Sequence, residues 1–287
     1  MNEEGWKKSG AIARKALEYG MELCKPNAKH IDIVEKIEKK IIQLGGKPSF
    51  PPDLSIDHVA AHQTPNVGDE KVLNKGEVVK VDVGAHVNGC VTDNARTVIL
   101  GNDWKDLKKA VEDALDAAIE QAVPGNKIRN IGKAIITTIE SRGFNAISNL
   151  SGHGIGRWIV HDSPTIPNYD NNDDTTLIEG QKIAIEPFAT TGIGAVSDGR
   201  PCGVYRLLGM KPVRLDSVRK VLQFIEQEYQ TIPFSPRWIQ HLPNYQFALR
   251  TLEKEGVIKQ YTELPEKSRG IVTQAEKSVS VGEGVLT

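Results

Sequence analysis

The sequence predicts a mixed α/β chain of helices packed on strands, with a helical segment inserted late. Three observations carry this. The order helix, helix, strands appears twice within the first two hundred residues. Residues 79–83 alternate apolar and polar side chains at the strand period of two, and Asn88-Gly89 follows as a hairpin turn. Helical periodicity then takes over from about 197 to 264, before a strand pattern returns at 270–279.

Residues 3–24 form the first predicted helix, with Ile12, Leu17, Met21 and Cys24 at helical spacing. The second covers about 30–44, with Val34, Ile37, Ile41 and Leu44 inward and Gly45-Gly46 as its stop. A proline-rich loop with Phe50 precedes strand-like residues 55–62. The hairpin comes next. The scheme repeats with helices at 104–123 and 128–141, the first broken by Pro124-Gly125, and strands at 150–161 and 182–186. No sequence identity between the halves is evident, so duplication is suggested by element order alone. The insert has helices at 216–229 and 245–256 but lacks the concentrated basic face of a DNA-binding winged helix.

Two hundred and eighty-seven residues leave ample room for a core. Charged residues make up 25% and the net charge is -1, so no global basic field points to DNA or a membrane surface. No run has the length of a membrane span, and MNEEGWKKSG is polar where a signal peptide is apolar. Three widely spaced cysteines with no C-x-x-C pair suit a reducing compartment, so a cytoplasmic location is expected.

With Asn88-Gly89 as the loop, Val87 faces Cys90, His86 faces Val91 and Gly84 faces Asp93. Asp82 is then a diagonal neighbour of Asp93 on one face, with Cβ atoms about 7–8 Å apart. Gly84 leaves space between them. Two such carboxylates repel unless a cation lies between them; two solvated aspartates on an exposed face explain the pair as well. His153 sits between glycines in LSGHGIG, Glu186 ends the strand KIAIEP, and Gln274 and Glu276 share a face in VTQAEKS. Each has a plain structural alternative. Together Asp, Asp, His, Glu and Glu suit a pair of divalent first-row cations. His62 in AAHQTP and His161 in RWIVH are two further candidates. No H-E-x-x-H and no plausible G-x-S-x-G occurs, so neither a zincin nor an α/β-hydrolase serine enzyme is indicated.

The ordered segments AAHQTP, VDVGAHVNGCVTDNA, SGHGIGRWIVH, AIEPFA and VTQAEKSV resemble the methionine aminopeptidases, type 2 branch, in its short archaeal form. The resemblance covers essentially the whole chain. It implies the pita-bread fold, a pseudo-symmetric curved antiparallel sheet backed by helices. Residues 1–196 and 265–287 would form the catalytic domain and 197–264 the helical type 2 insert. It implies two divalent metal ions (Co, Mn, Fe or Zn), with Asp82 chelating one, His153 and Glu186 binding the other, and Asp93 and Glu276 bridging. Glu186 would shuttle the proton, with His62 near the leaving nitrogen and His161 near the scissile carbonyl. Phe50, Phe188 and Tyr261 would wall the methionine pocket, Phe50 and Tyr261 from loops.

The implied activity is removal of initiator methionine from nascent chains at the ribosome, by a monomer, with small second residues preferred. Arg96 and Lys277 depart from the usual pattern without removing a ligand. Prolidase and aminopeptidase P share the fold and ligands but usually add an N-terminal domain. Non-catalytic RNA- or ribosome-associated relatives lose ligands that are all present here.

Overall fold

The computed structural model describes residues 3–287; Met1 and Asn2, the start of the expected catalytic domain, lie outside them. The first half comprises helices α1 (Glu3–Leu23) and α2 (His30–Gln43). Strands β1 (Lys47–Pro48), β2 (Asp53–Ile56), β3 (Val59–Ala61), β4 (Val78–Asp82), β5 (Ala85–Val87), β6 (Cys90–Thr92) and β7 (Ala95–Ile99) follow. The second half repeats the plan with α3 (Lys105–Glu120), α4 (Ile128–Ser141), β8 (Asn145–Ala146), β9 (Ser151–Gly156), β10 (Ile159–Pro167), β11 (Lys182–Ile185) and β12 (Phe188–Thr190). The insert runs through β13 (Pro201–Leu207), α5 (Asp216–Glu228), α6 (Pro236–Ile239), α7 (Tyr245–Lys254) and β14 (Ile258–Thr262). Strands β15 (Leu264–Pro265), β16 (Val272–Gln274), β17 (Lys277–Ser280) and β18 (Gly284–Val285) close the fold. Among the described residues no helix is long and apolar enough to cross a membrane.

Each half buries its own helix pair on its own strands. Ile33, Val34, Ile37 and Ile41 of α2 pack with Leu17 of α1 and Val79, Val81 and Val83 of the hairpin. Leu107, Val111 and Leu115 of α3 pack with Ile131, Ile135 and Ile139 of α4 over Ile183 and Ile185. These are the inward positions expected of amphipathic helices.

The hairpin holds its expected register, with Val87 opposite Cys90 and His86 opposite Val91. Asn88 (φ 51°) and Gly89 (φ 82°) both take positive φ, as a tight two-residue turn requires. The strand is not continuous, however. β4 pairs with β2 and β7, whereas β5 pairs with β1 and β6, so the chain bends into a second sheet at Val83-Gly84. The same occurs at Asp93-Asn94 between β6 and β7, at Glu186-Pro187 between β11 and β12, and at Ala275-Glu276 between β16 and β17.

The insert is not purely helical, which corrects the expectation. β13 and β14 form an antiparallel ribbon with Tyr205 opposite Gln260 and Arg206 opposite Lys259. Helices α5 and α7 pack on one side of it through Val221, Leu222, Ile225, Leu249 and Leu252.

Candidate metal centre

The four strand breaks place the carboxylates. Asp82 ends β4, Asp93 separates β6 from β7, Glu186 follows β11, and Glu276 precedes β17. Ile185 pairs with Lys277, which sets Glu186 beside Glu276. Ala184 pairs with His153 on the neighbouring strand. Backbone bonds between Glu276 and Ala95 (2.9 Å from the Glu276 N–H) join the two halves directly at the site. Ser278 Oγ accepts from the Asp93 N–H and donates to its carbonyl, both at 2.8 Å.

Every residue expected at the site lines one cavity of about 200 Å³: Phe50, His62, Asp82, Asp93, His153, His161, Glu186, Phe188, Tyr261 and Glu276. Asp93, His153 and Glu276 offer ligand atoms within 4.8 Å of one another. His153 Nε2 lies 3.7 Å from both Asp93 Oδ2 and Glu186 Oε1. The Gln274 amide donates to Asp82 Oδ2 at 3.3 Å.

Among the described residues no lysine or arginine lines this cavity, so the acids relieve their repulsion by holding protons. Burial pushes the Asp82 carboxyl up to about 6, against the lowering influence of Gln274 and Asp93. Burial first, then neighbouring carboxylates, raises Asp93, Glu186 and Glu276 well above the usual range. Burial also holds His153 down to about 4, so the ring is neutral. With its Nδ1–H placed toward the Gly154 carbonyl (3.0 Å), its Nε2 lone pair faces the acids. That is the arrangement in which a backbone carbonyl orients a metal-binding imidazole.

Asp82 Oδ1, Asp93 Oδ1 and Glu276 Oε1 are buried without a hydrogen-bond partner. Three orphaned carboxylate oxygens beside a neutral imidazole, with no basic side chain, fit divalent cations on the criterion of donor chemistry.

His62 follows β3 and has a left-handed backbone, φ 64°. Its N–H donates to Asp53 Oδ2 at 2.9 Å and its Nδ1 lies 3.2 Å from the Thr262 carbonyl. His161 sits where β10 slips register against β9 between Ile159 and Asp162, a bulge that re-aims the side chain. Its ring is 4.6 Å from that of His153 and 6.3 Å from that of Tyr261. Burial chiefly, then His153, His62 and Arg206, hold it well below the usual imidazole value. Burial lowers His62 as well.

Phe188 is buried opposite Gln274, and Phe50 reaches the cavity from its loop. Tyr261 is on strand β14 instead of a loop, which corrects its expected setting. The space at Gly84 is taken by protein: a Cβ there would lie 2.0 Å from Ser49 Oγ and 2.3 Å from the Phe50 ring. Gly152 and Gly154 likewise admit neighbouring backbone, at Ala184 and Ser163. Arg96 is exposed, opposite Val81 on β7, and Lys277 is half-buried beside it.

Sequence reading missed Asp53. It is buried opposite Asp82 across the β2–β4 ladder and lines the same cavity. Nothing in FPPDLS marks it, because the pairing depends on a register between strands more than twenty residues apart.

The model of metallopeptidase family M24 matches residues 4–219. A methionine aminopeptidase of Pyrococcus horikoshii is 44% identical over 283 residues, covering 97% of this chain and 96% of that protein. The structure of a thermophilic Arx1 aligns with TM-score 0.84 at 18% identity, over 98% of this chain and 88% of that one. A methionine aminopeptidase structure from Thermotoga maritima aligns with TM-score 0.72 at 24% identity, over 99% and 95%. The two structural likenesses bear on the fold alone, and the expected pita-bread architecture is borne out.

Proposed function

The chain belongs to metallopeptidase family M24, and from its acidic cavity we propose that it hydrolyses the first peptide bond of polypeptides that begin with methionine. It is a metalloaminopeptidase acting on initiator methionine. The observation that carries the reading is the convergence of five candidate ligand side chains, three with orphaned oxygens, on one cavity.

Asp82, Asp93, His153, Glu186 and Glu276 would hold two divalent ions, Co, Mn, Fe or Zn. Such ions supply Lewis acidity and a water of lowered pKa near neutral pH. Glu186 would accept the proton of the attacking water and pass it to the leaving nitrogen. Neutral His161 donates to the scissile carbonyl oxygen. His62, tethered at backbone and ring, orients the leaving amide. Phe50, Phe188 and Tyr261 take the methionine side chain, and their closeness to the acids leaves room for a small second residue.

Residues 197–264 act as an insert on a catalytic unit of 1–196 and 265–287; the separate apolar cluster of Val218, Leu222, Phe234 and Ile258 supports this division. The setting proposed is cytoplasmic, on nascent chains at the ribosome.

The test uses chelator-stripped protein with Met-Ala-Ser and added Co or Mn, beside Glu186→Ala. Metal-dependent release of methionine, abolished by the substitution, is expected. Metal binding without methionine release from any peptide would move the site to another N-terminal residue, and no metal binding would refute the hydrolase reading. Met-Lys or Met-Phe peptides cleaved as fast as Met-Ala would refute the preference for small second residues.

A further inference from the structure

The ribbon of the insert has two faces that do different work. Strand alternation sends Tyr205, Leu207 and Ile258 inward, where they join the apolar cluster beneath α5 and α7. Val204, Arg206, Lys259 and Tyr261 take the opposite face. Val204 and Tyr261 line the acidic cavity. Arg206 and Lys259 continue the same face outward into solvent, directly opposite each other in the ladder.

Two like charges paired across a ladder destabilise it, and here no ion pair offsets them among the described residues. Glu263, four residues beyond Lys259, is held by Arg200 at 2.8 and 2.9 Å. The Arg206 guanidinium lies over the Tyr261 ring, 5.9 Å from its centroid. Tyr261 in turn is 5.3 Å from the His62 ring and 6.3 Å from that of His161. The cations therefore stand at the mouth of the cavity, one side chain beyond the residues that flank the scissile bond.

We propose that Arg206 and Lys259 form a cationic lip that binds acidic side chains of the substrate polypeptide, about two to four residues beyond the scissile bond at ~3.3 Å per extended residue. The inference rests on the aminopeptidase reading, because it needs a chain threaded out of the cavity. An acidic peptide suits the lip better than a nucleic acid does. The feature is two cations, not a field, on a chain of net charge -1. It also continues directly from the wall that holds the N-terminal residue, so the ligand it meets is the emerging chain.

The experiment compares amidated peptides Met-Ala-Ser carrying Asp-Glu, Ser-Ser or Lys-Lys at the next two positions. Each enzyme is its own reference, read as the ratio of KM values for acidic and neutral peptides. The wild type is expected to favour the acidic peptide by roughly 2–10-fold in KM, an advantage lost at about 1 M salt. R206Q/K259Q should bring the ratio to about one, and R206E/K259E should transfer the preference to Lys-Lys. Equal KM values in the wild type, or a preference that survives both double variants, would overturn the lip. Fluorescence anisotropy with the same peptides, labelled, reads the lip without turnover. A wild type that releases no methionine yet binds acidic peptides through these residues would sink the aminopeptidase reading and leave the lip standing. Binding of a labelled RNA oligonucleotide, lost in the same variants while acidic peptides do not bind, would assign the lip to nucleic acid and overturn the proposal.

Discussion

Asp53 offers a sharp test of how the site is held. His62 has a left-handed backbone that costs a side-chain-bearing residue about 1–2 kcal/mol, so something must hold it. The structure supplies the Asp53 carboxylate on its N–H and the Thr262 carbonyl on its ring. Removing the first leaves a partly buried N–H unpaired, at about 1–3 kcal/mol. If that loss falls on the transition state, Asp53→Ala lowers kcat roughly 5–150-fold, at about 1.4 kcal/mol per tenfold. Asp53→Asn keeps an oxygen acceptor at the same place and should stay within about threefold of wild type. The assay is steady-state release of methionine from Met-Ala-Ser at saturating metal, with metal affinity titrated separately. Equal losses in the Ala and Asn variants would mean that the charge matters and the hydrogen bond does not. No loss in either would refute the tether altogether.

Other outcomes follow from the same geometry. Loading the metal-free protein at pH 6–7 should release protons from the acids, so affinity rises with pH; calorimetry in buffers of different ionisation enthalpy measures this, and a pH-independent affinity would count against the reading. Because burial raises Asp82 to about 6 and Asp93, Glu186 and Glu276 well above the usual carboxylate range, their contribution to metal-free stability is full below the unfolded carboxylate values. It is lost as pH rises through the folded ones, so thermal unfolding should show the metal-dependent gain growing from pH 5 to 8. Glu38, buried against Arg237 at 2.7 and 3.0 Å and accepting from the Trp238 indole, docks α6 of the insert on α2. Glu38→Ala should cost about 3–5 kcal/mol in urea unfolding, and a loss under about 1 kcal/mol would show the pair to be dispensable. Gly84→Ala should push Phe50 out of the cavity wall, at about 1–3 kcal/mol of overpacking, raising KM for methionine peptides; an unchanged KM would deny Phe50 its place in the pocket.

The features legible in the sequence were those written in local spacing. Val79, Val81 and Val83 alternate, and Asn88-Gly89 allows one tight turn, so the register that faces Val87 with Cys90 could be read directly. The inward face of α2, with Val34, Ile37 and Ile41, was read from the same kind of spacing. What could not be read depends on partners far along the chain. Asp53 enters the site only because β2 pairs with β4 in one register. The strand of Tyr261 exists because β13 supplies a neighbour more than fifty residues earlier. The bends at Val83-Gly84 and Glu186-Pro187 are changes of partner sheet, and a period-two pattern runs through such a change without a mark.

Those bends explain how one cavity comes to hold so many acids. Within a regular ladder a side chain must alternate between faces, so neighbouring strands could converge only two or three carboxylates on one point. At a break, the residue between two segments belongs fully to neither sheet and turns toward the gap that the bend opens. Asp93, Glu186 and Glu276 occupy such positions and Asp82 ends β4 just before one, two from each half of the molecule. Each pair is anchored by its own helix-backed apolar cluster, and the Ala95–Glu276 backbone bonds tie the pairs together. Register thus brings the four acids together, and the cost appears as carboxyl groups driven to hold protons. A substitution that loosened either helix pair, far from the acids, would therefore weaken metal binding by letting the two pairs drift apart, while leaving each pair locally intact.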